Sequence, residues 1–147
     1  MSYTERFSEK MYPLGYLHPD SYAAGEQNSG YVSLANYHRA WIVLHVGDMA
    51  ATATLDLDIE QATDTSGTGA KAITGKSITQ LTQAGGDGDD LVCVEIQTEE
   101  LDVDGGFDCI NAELTVGTAA VECSLIIYGC IPRFKPTATT NWQEVVG

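Results

Sequence analysis

Several stretches of the chain carry side chains that could do chemistry. Ala70–Ser77, AKAITGKS, matches a loose phosphate-loop pattern, with Ala70 ahead of Gly75-Lys76-Ser77. Such a loop works by converging backbone N–H groups on a phosphate, which requires a buried strand before it and a helix after it. Here the polar QATDTSGTG precedes the match, and SITQLTQAGG follows it with a glycine stop. The match is therefore expected to be a coincidence of composition. Asp102-Val103-Asp104 opens like a calcium loop, and Glu113 falls at the position of the closing bidentate carboxylate. Gly106 and Phe107 then stand where an oxygen ligand and the turn glycine belong, which excludes an EF-hand. A looser surface cation site built from Asp102, Asp104 and Asp108, or from Asp87, Asp89 and Asp90, stays open. Clustered carboxylates in turns are otherwise solvated.

The remaining reactive residues form no recognisable constellation. Cys93, Cys109, Cys123 and Cys130 include no CxxC pair, and each lies in an apolar stretch. They read as reduced, small hydrophobic residues. His18, His38 and His45 are scattered. His45 lies in an apolar strand and reads as a core or interface residue. There is neither a GxSxG elbow nor an HExxH pair, and the paired Glu99-Glu100 lacks the aromatic-flanked cleft a glycosidase needs. No catalytic activity and no cofactor are expected.

The elements that must carry these residues are β-strands. In Thr52–Glu60, TATLDLDIE, the residues Leu55, Leu57 and Ile59 alternate with Asp56, Asp58 and Glu60. That period of two predicts a strand with one dry and one wet face. Leu91–Gln97 alternates in the same way. Tyr31–Val46 ends in AWIVLHV, dense in β-branched and aromatic residues, with Gly47-Asp48 expected to close it. Lys71–Leu81 reads as one or two short strands. Phe107–Val116 and Ala120–Ile131 complete the set, with Gly117-Thr118 between them as a hairpin candidate. AGGDGDD and Asp104-Gly105-Gly106 are turns. Six to eight short strands between Gly/Asp turns, without a sustained helical stripe, predict an all-β antiparallel β-sandwich or barrel. The body is expected at residues 31–131.

Two extended segments flank that body. Residues 1–30 interleave Tyr3, Phe7, Tyr12, Tyr16 and Tyr22 with Pro13, Gly15, Pro19 and Gly25. No period persists, so this is read as an extended N-terminal arm whose rings need a cover, on its own domain or on a neighbouring subunit. Residues 132–147 form a C-terminal tail. Proline cannot donate to a ladder, so the sheet should stop near Pro132. Arg133, Phe134 and Trp142 join the arm aromatics as interface candidates. Deleting either end is expected to leave the body folded.

Charge narrows the partners. With 21 acids against 7 bases, a net charge of -14 and a pI near 4.2, the surface is ill-suited to phosphate backbones or anionic lipid. Ten of the acids lie between Gly85 and Glu113, and no base lies between Lys76 and Arg133. The apolar run Ala40–Val46 is far short of the ~20 residues of a membrane span. The polar start MSYTERFSEK shows no secretory core.

Four phrases together resemble small structural proteins of tailed-bacteriophage heads: SGYVSLANYHRAWIVLHVGDM, ATDTSGTGAKAITGKSITQLTQAGGDGDD, EELDVDGGFDCI and GCIPRFKP. The resemblance runs over about residues 29–146. It is nearest to capsid cement or decoration proteins with a jelly-roll-like β-sandwich. It implies a virion protein made in the host cytoplasm that binds the major capsid protein on the outer capsid surface, often as a dimer or trimer of itself. The charge balance adds the expectation of no direct nucleic-acid contact and no membrane contact. A neck, tail or vertex component is the neighbouring reading. A Ca-dependent carbohydrate-binding module is the reading from another class.

Overall fold

Leu55, Leu57 and Ile59 turn to one side of their strand and are almost wholly buried, while Asp56, Asp58 and Glu60 turn to the other. The computed structural model describes residues 4–135 and 140–147. Its strands are β1 (Met11–Tyr22), β2 (Gly25–Asn28), β3 (Val32–Ser33), β4 (Tyr37–Met49), β5 (Thr54–Ala62), β6 (Lys71–Ser77), β7 (Leu81–Thr82), β8 (Leu91–Gln97), β9 (Cys109–Gly117) and β10 (Val121–Pro132). One sheet runs β1-β10-β4-β8. The other runs β2-β9-β5-β6, with β3 added beside β9 and β7 beside β5. All pairings are antiparallel.

The two sheets are held by their inward residues. Ile42, Leu44, Val46, Ile96, Leu125 and Ile127 from the four-stranded sheet meet Leu55, Leu57, Ile59, Ile110, Leu114 and Val116 from the other. Losing one such leucine to alanine costs about 2–5 kcal/mol. Consecutive strands change sheets repeatedly: β1 to β2, β4 to β5, and β7 through β8 and β9 to β10. Eight main strands ordered this way in two facing sheets make the jelly-roll β-sandwich. The fold class expected from the alternation is what the chain adopts.

Buried polar groups tie the layers' margins. Asn111 is buried, and its Nδ2 donates to Asn28 Oδ1 at 2.6 Å and to Glu60 Oε2 at 3.3 Å. Ser29 Oγ donates to Asn111 Oδ1 at 3.3 Å. Buried Gln61 accepts the Asp102 N–H at 2.7 Å and so fixes the β8–β9 loop. Left unpaired, each of these groups would cost a desolvation penalty of about 1–3 kcal/mol.

Several expected boundaries move. β4 does not close at Gly47-Asp48; it runs on to Met49 through an irregularity opposite Glu122. Gly117-Thr118 is not a hairpin, because β9 and β10 belong to different sheets. It is an arch across the sandwich, with Thr118 at φ +68°. Most consequential is residues 1–30. The segment is extended, but Met11–Tyr22 is a full strand paired along β10, and Gly25–Asn28 pairs with β9. Tyr12 is buried, and Leu14, Leu17 and Tyr22 pack against the core. Of the two covers open to the arm, these residues use their own domain. The sheet does stop at Pro132, as expected.

This changes the expected effect of truncation. Removing residues 1–22 deletes one of the four strands of a sheet, not a free arm. We expect the shortened chain to lose its cooperative thermal transition by circular dichroism; a sharp melt near that of the full chain would show β1 to be dispensable.

Candidate functional site

Each strand that faces the core with every second residue presents the others to the outside. The two sheets do so with opposite chemistry. On the outer side of the six-stranded sheet stand Asp56, Asp58 and Glu60 of β5 and Glu113 of β9, with Glu26 of β2 in register beside them. Asp58 and Glu113 are direct cross-strand partners. Partial burial, then the charges of Glu26, Glu60 and Asp58, raise the Glu113 carboxyl above its ordinary value. The Tyr31 hydroxyl donates to Glu60 Oε2 at 2.6 Å and is itself pushed upward, mainly by desolvation.

The centre of the outer side of the four-stranded sheet is apolar. One row crosses it through aligned partners: Tyr16 of β1 against Ile126 of β10, Ile126 against Val43 of β4, and Val43 against Cys93 of β8. Trp41 and Tyr128 pair in the next row, ring centroids 5.9 Å apart. The Trp41 indole N–H donates to Cys93 Sγ. On the other flank Leu91 pairs with His45. Tyr16 also meets His18 edge-on at 4.9 Å. Trp41, Tyr16 and Leu91 are 37%, 45% and 69% exposed. Large residues in one contiguous exposed patch mark an interaction surface.

Backbone strain lies on the border of this patch. Ile131, 56% exposed, has φ +54°, a left-handed conformation that β-branched residues rarely adopt. It lines a hollow with Trp41, Glu95 and Cys130. Strain of this kind persists only where the surroundings impose it, and it concentrates at working surfaces.

The sequence candidates divide accordingly. Tyr16 lies on the apolar face. Phe7 and Phe134 are exposed near the chain ends, and Arg133 Nε donates to the Ala35 carbonyl at 2.9 Å. Tyr12 is spent internally: its hydroxyl pairs with Thr140 Oγ1 at 2.8 Å and accepts the Asn141 N–H at 2.9 Å. Trp142 is half-buried and lines a hollow with Pro13, Tyr16 and Leu17 of β1 and Ile126 of β10. Tyr22 packs toward the core and donates to the His18 carbonyl at 2.7 Å. Tyr3 lies outside the described residues. Trp41, Val43, Tyr128 and Leu91 dominate the face and belong to none of the chemical motifs named above.

The chemical candidates do not converge. In Ala70–Ser77, Gly75-Lys76-Ser77 ends an edge strand, and the next elements are the short β7 and a single 3-10 turn in place of the helix a phosphate loop needs. Lys76 Nζ is held by the Glu95 carbonyl at 2.8 Å and by Glu100 at 2.9 Å. Asp102 pairs with Lys71 at 2.5 Å and accepts the Gly105 N–H, and both keep its carboxyl below the ordinary range. Among the described residues no three His, Cys, Asp or Glu side chains gather as a metal site, so Asp102, Asp104 and Asp108 are not brought together as one. The four cysteines are free. Cys109 and Cys123 are buried, and desolvation raises both thiols to about 11. They stay protonated at neutral pH and are poor nucleophiles. Cys93 is the exception to the expected burial; it stands exposed on the apolar face. His45 is likewise exposed, not in the core. No helix among the described residues is long and apolar enough to cross a membrane.

Comparison with protein-family models, with curated proteins and with solved structures finds no match.

Two substitutions test the contrast between the faces. Glu113 has a raised folded pKa, so the fold gains stability when this group takes up its proton and loses it as pH climbs from the ordinary carboxyl value through the raised one. Glu113→Gln should stabilise the protein at pH 7 by about 0.5 kcal/mol, as removal of a like-charge cross-strand pair predicts. It should also flatten the stability change over that window, read by urea unfolding at several pH values. Ile131→Asn replaces the strained residue with one that tolerates left-handed backbone. It should add about 0.5–1 kcal/mol; a loss of stability would mean that the isoleucine's packing outweighs its strain.

Proposed function

We propose that this chain is a structural protein of a tailed-phage head, a cement or decoration protein that binds the outer capsid surface and stabilises contacts between major capsid subunits. The carrying observation is the sorting of chemistry between the two layers: one outer face apolar and aromatic, the other acidic. A shell-bound clip needs a side that adheres and a side that stays hydrated, on a body too stiff to yield. The jelly roll supplies the stiffness. The excess of acids suits a position outside the shell, away from packaged DNA, which would repel it. The resemblance of residues 29–146 to head proteins supports the same assignment.

The mechanism is additive binding. A thin shell under internal pressure fails where subunits separate. A rigid block seated across a subunit boundary must be released from one side before that boundary opens. Each contact can be weak where a copy touches both sides of the boundary, because the first contact holds the second at a high effective concentration.

Heads stripped of this protein should rupture several degrees below intact ones in a thermal release assay read by a DNA-binding dye. Adding the purified protein back should restore the original temperature. Identical rupture temperatures for stripped, restored and intact heads would remove reinforcement from its role. Hundreds of copies per particle are expected; six or twelve would place it in the neck or tail.

A further inference from the structure

The outer face of β1-β10-β4-β8 has a composition that specifies what can lie against it. Its centre is Tyr16, Trp41, Val43, Ile126 and Tyr128, and none of these carries a charge. Around that centre stand acids. Glu122 precedes Ser124 and Ile126 on the outward side of β10, and with Asp20 and His45 it lines an open hollow of about 490 Å³ at one end of the face. Glu95 lies on β8, opposite Trp41. None of Asp20, Glu95 and Glu122 belongs to an ion pair among the described residues. The basic residue on this face, Arg39, is already paired with Glu99 at 3.2 Å.

We propose that this face is the docking surface, and that its occupant is a flat protein surface with an apolar centre framed by Lys or Arg side chains. The proposal rests on the head-protein reading and specifies the contact that reading requires. Charge complementarity decides between occupants. A second copy would set acid rim against acid rim on a molecule that already carries -14. A basic frame satisfies the same rim. Four strands about 4.8 Å apart, of 7 to 13 residues each, give a face roughly 20 Å by 25–45 Å. That is on the order of 500–800 Å² of projected area, near the ~800 Å² per partner of a standard pairwise interface, so the face is large enough to hold one partner surface. The division of labour follows: the apolar centre sets how slowly the protein leaves, and the acidic rim sets how fast it arrives.

The test uses the full-length protein and heads of its own phage stripped of it. Val43→Glu puts a charge in the centre of the face. Leu91→Glu does so at its margin, where the side chain is 69% exposed and the core is untouched. Both variants should melt as the unaltered protein does, within the effect of a surface change, and should bind heads at least ~10-fold more weakly, chiefly through faster dissociation. Glu95→Gln with Glu122→Gln should slow association and reduce its dependence on salt, with dissociation little changed. Unaltered protein should arrive more slowly as salt is raised. If it binds heads but Leu91→Glu binds equally well, the face is not the dock and only this proposal falls. If salt speeds association, the partner's frame is not basic, and the proposal is overturned. If unaltered protein sediments as a dimer that Leu91→Glu dissociates, the face is a seam between copies, which also overturns it. If unaltered protein fails to bind stripped heads, the head-protein reading fails and takes this proposal with it.

Discussion

The burial of alternate residues between two sheets is the constraint on which the rest of the molecule depends. A strand has only two sides, and the core claims one of them. Ile42, Leu44 and Val46 are committed inward, so Trp41, Val43 and His45 must face out, whatever their chemistry. The same rule sends Asp56, Asp58 and Glu60 outward from β5 because Leu55, Leu57 and Ile59 go in. The surface is therefore the complement of the core, strand by strand. A one-residue slip in β4 would bury Trp41 and His45 and expose Leu44. The cost of that exchange makes the outward set as fixed as the inward one, and a fixed outward set is what a binding surface requires.

The sequence discloses part of this directly. β5 is legible because its inward and outward residues differ in polarity, and β8 is found at its true bounds, Leu91–Gln97, as a β-branched run after the Gly/Asp turn. β1 is not legible, because Pro13, Gly15 and Pro19 interrupt the period that would mark a strand. Two irregularities in its pairing with β10 absorb those interruptions. An edge strand tolerates proline on its free side, a permission that local pattern cannot reveal. The Gly117-Thr118 arch has the composition of a hairpin turn. Whether flanking strands pair or cross to the facing sheet is settled by the packing of distant segments.

The apolar face was hidden for a related reason. AWIVLHV reads as a strand dry on both sides, and such strands are normally buried on both. In this jelly roll Trp142 lies against one flank of the second side, and among the described residues Trp41, Tyr16 and Leu91 stay exposed there. The signal was present as a surplus. A strand with one face to the core and one to water needs only half of its residues apolar, and β4 carries more. β10 repeats the surplus, with Ile126 and Tyr128 standing outside Leu125 and Ile127. A fold with a single covered face per sheet, holding two strands apolar on both sides, must carry an exposed apolar patch.

The edges of the same sheet explain why that patch, and not the backbone, is left to make contacts. An open strand edge invites another strand and tends toward endless sheet extension. At β8 the outward Glu95 carbonyl is taken by Lys76 Nζ, and the Gln97 N–H is taken by Glu100 Oε2 at 2.9 Å. Glu100 is held in its charged form by that N–H and by Lys76, which lower its pKa, so the clip stays closed at neutral pH. At β1 two prolines lack the N–H a new strand would need, and Asn141 Nδ2 occupies the Pro13 carbonyl at 2.8 Å. At both edges, some outward backbone groups are thus already occupied or, at the prolines, absent. Edge pairing can repeat without limit, whereas contact through one finite face saturates after a single partner surface. Occupied edge positions beside an open face favour a finite contact over strand-by-strand polymerisation, and Lys76, Glu100 and Asn141 occupy those positions.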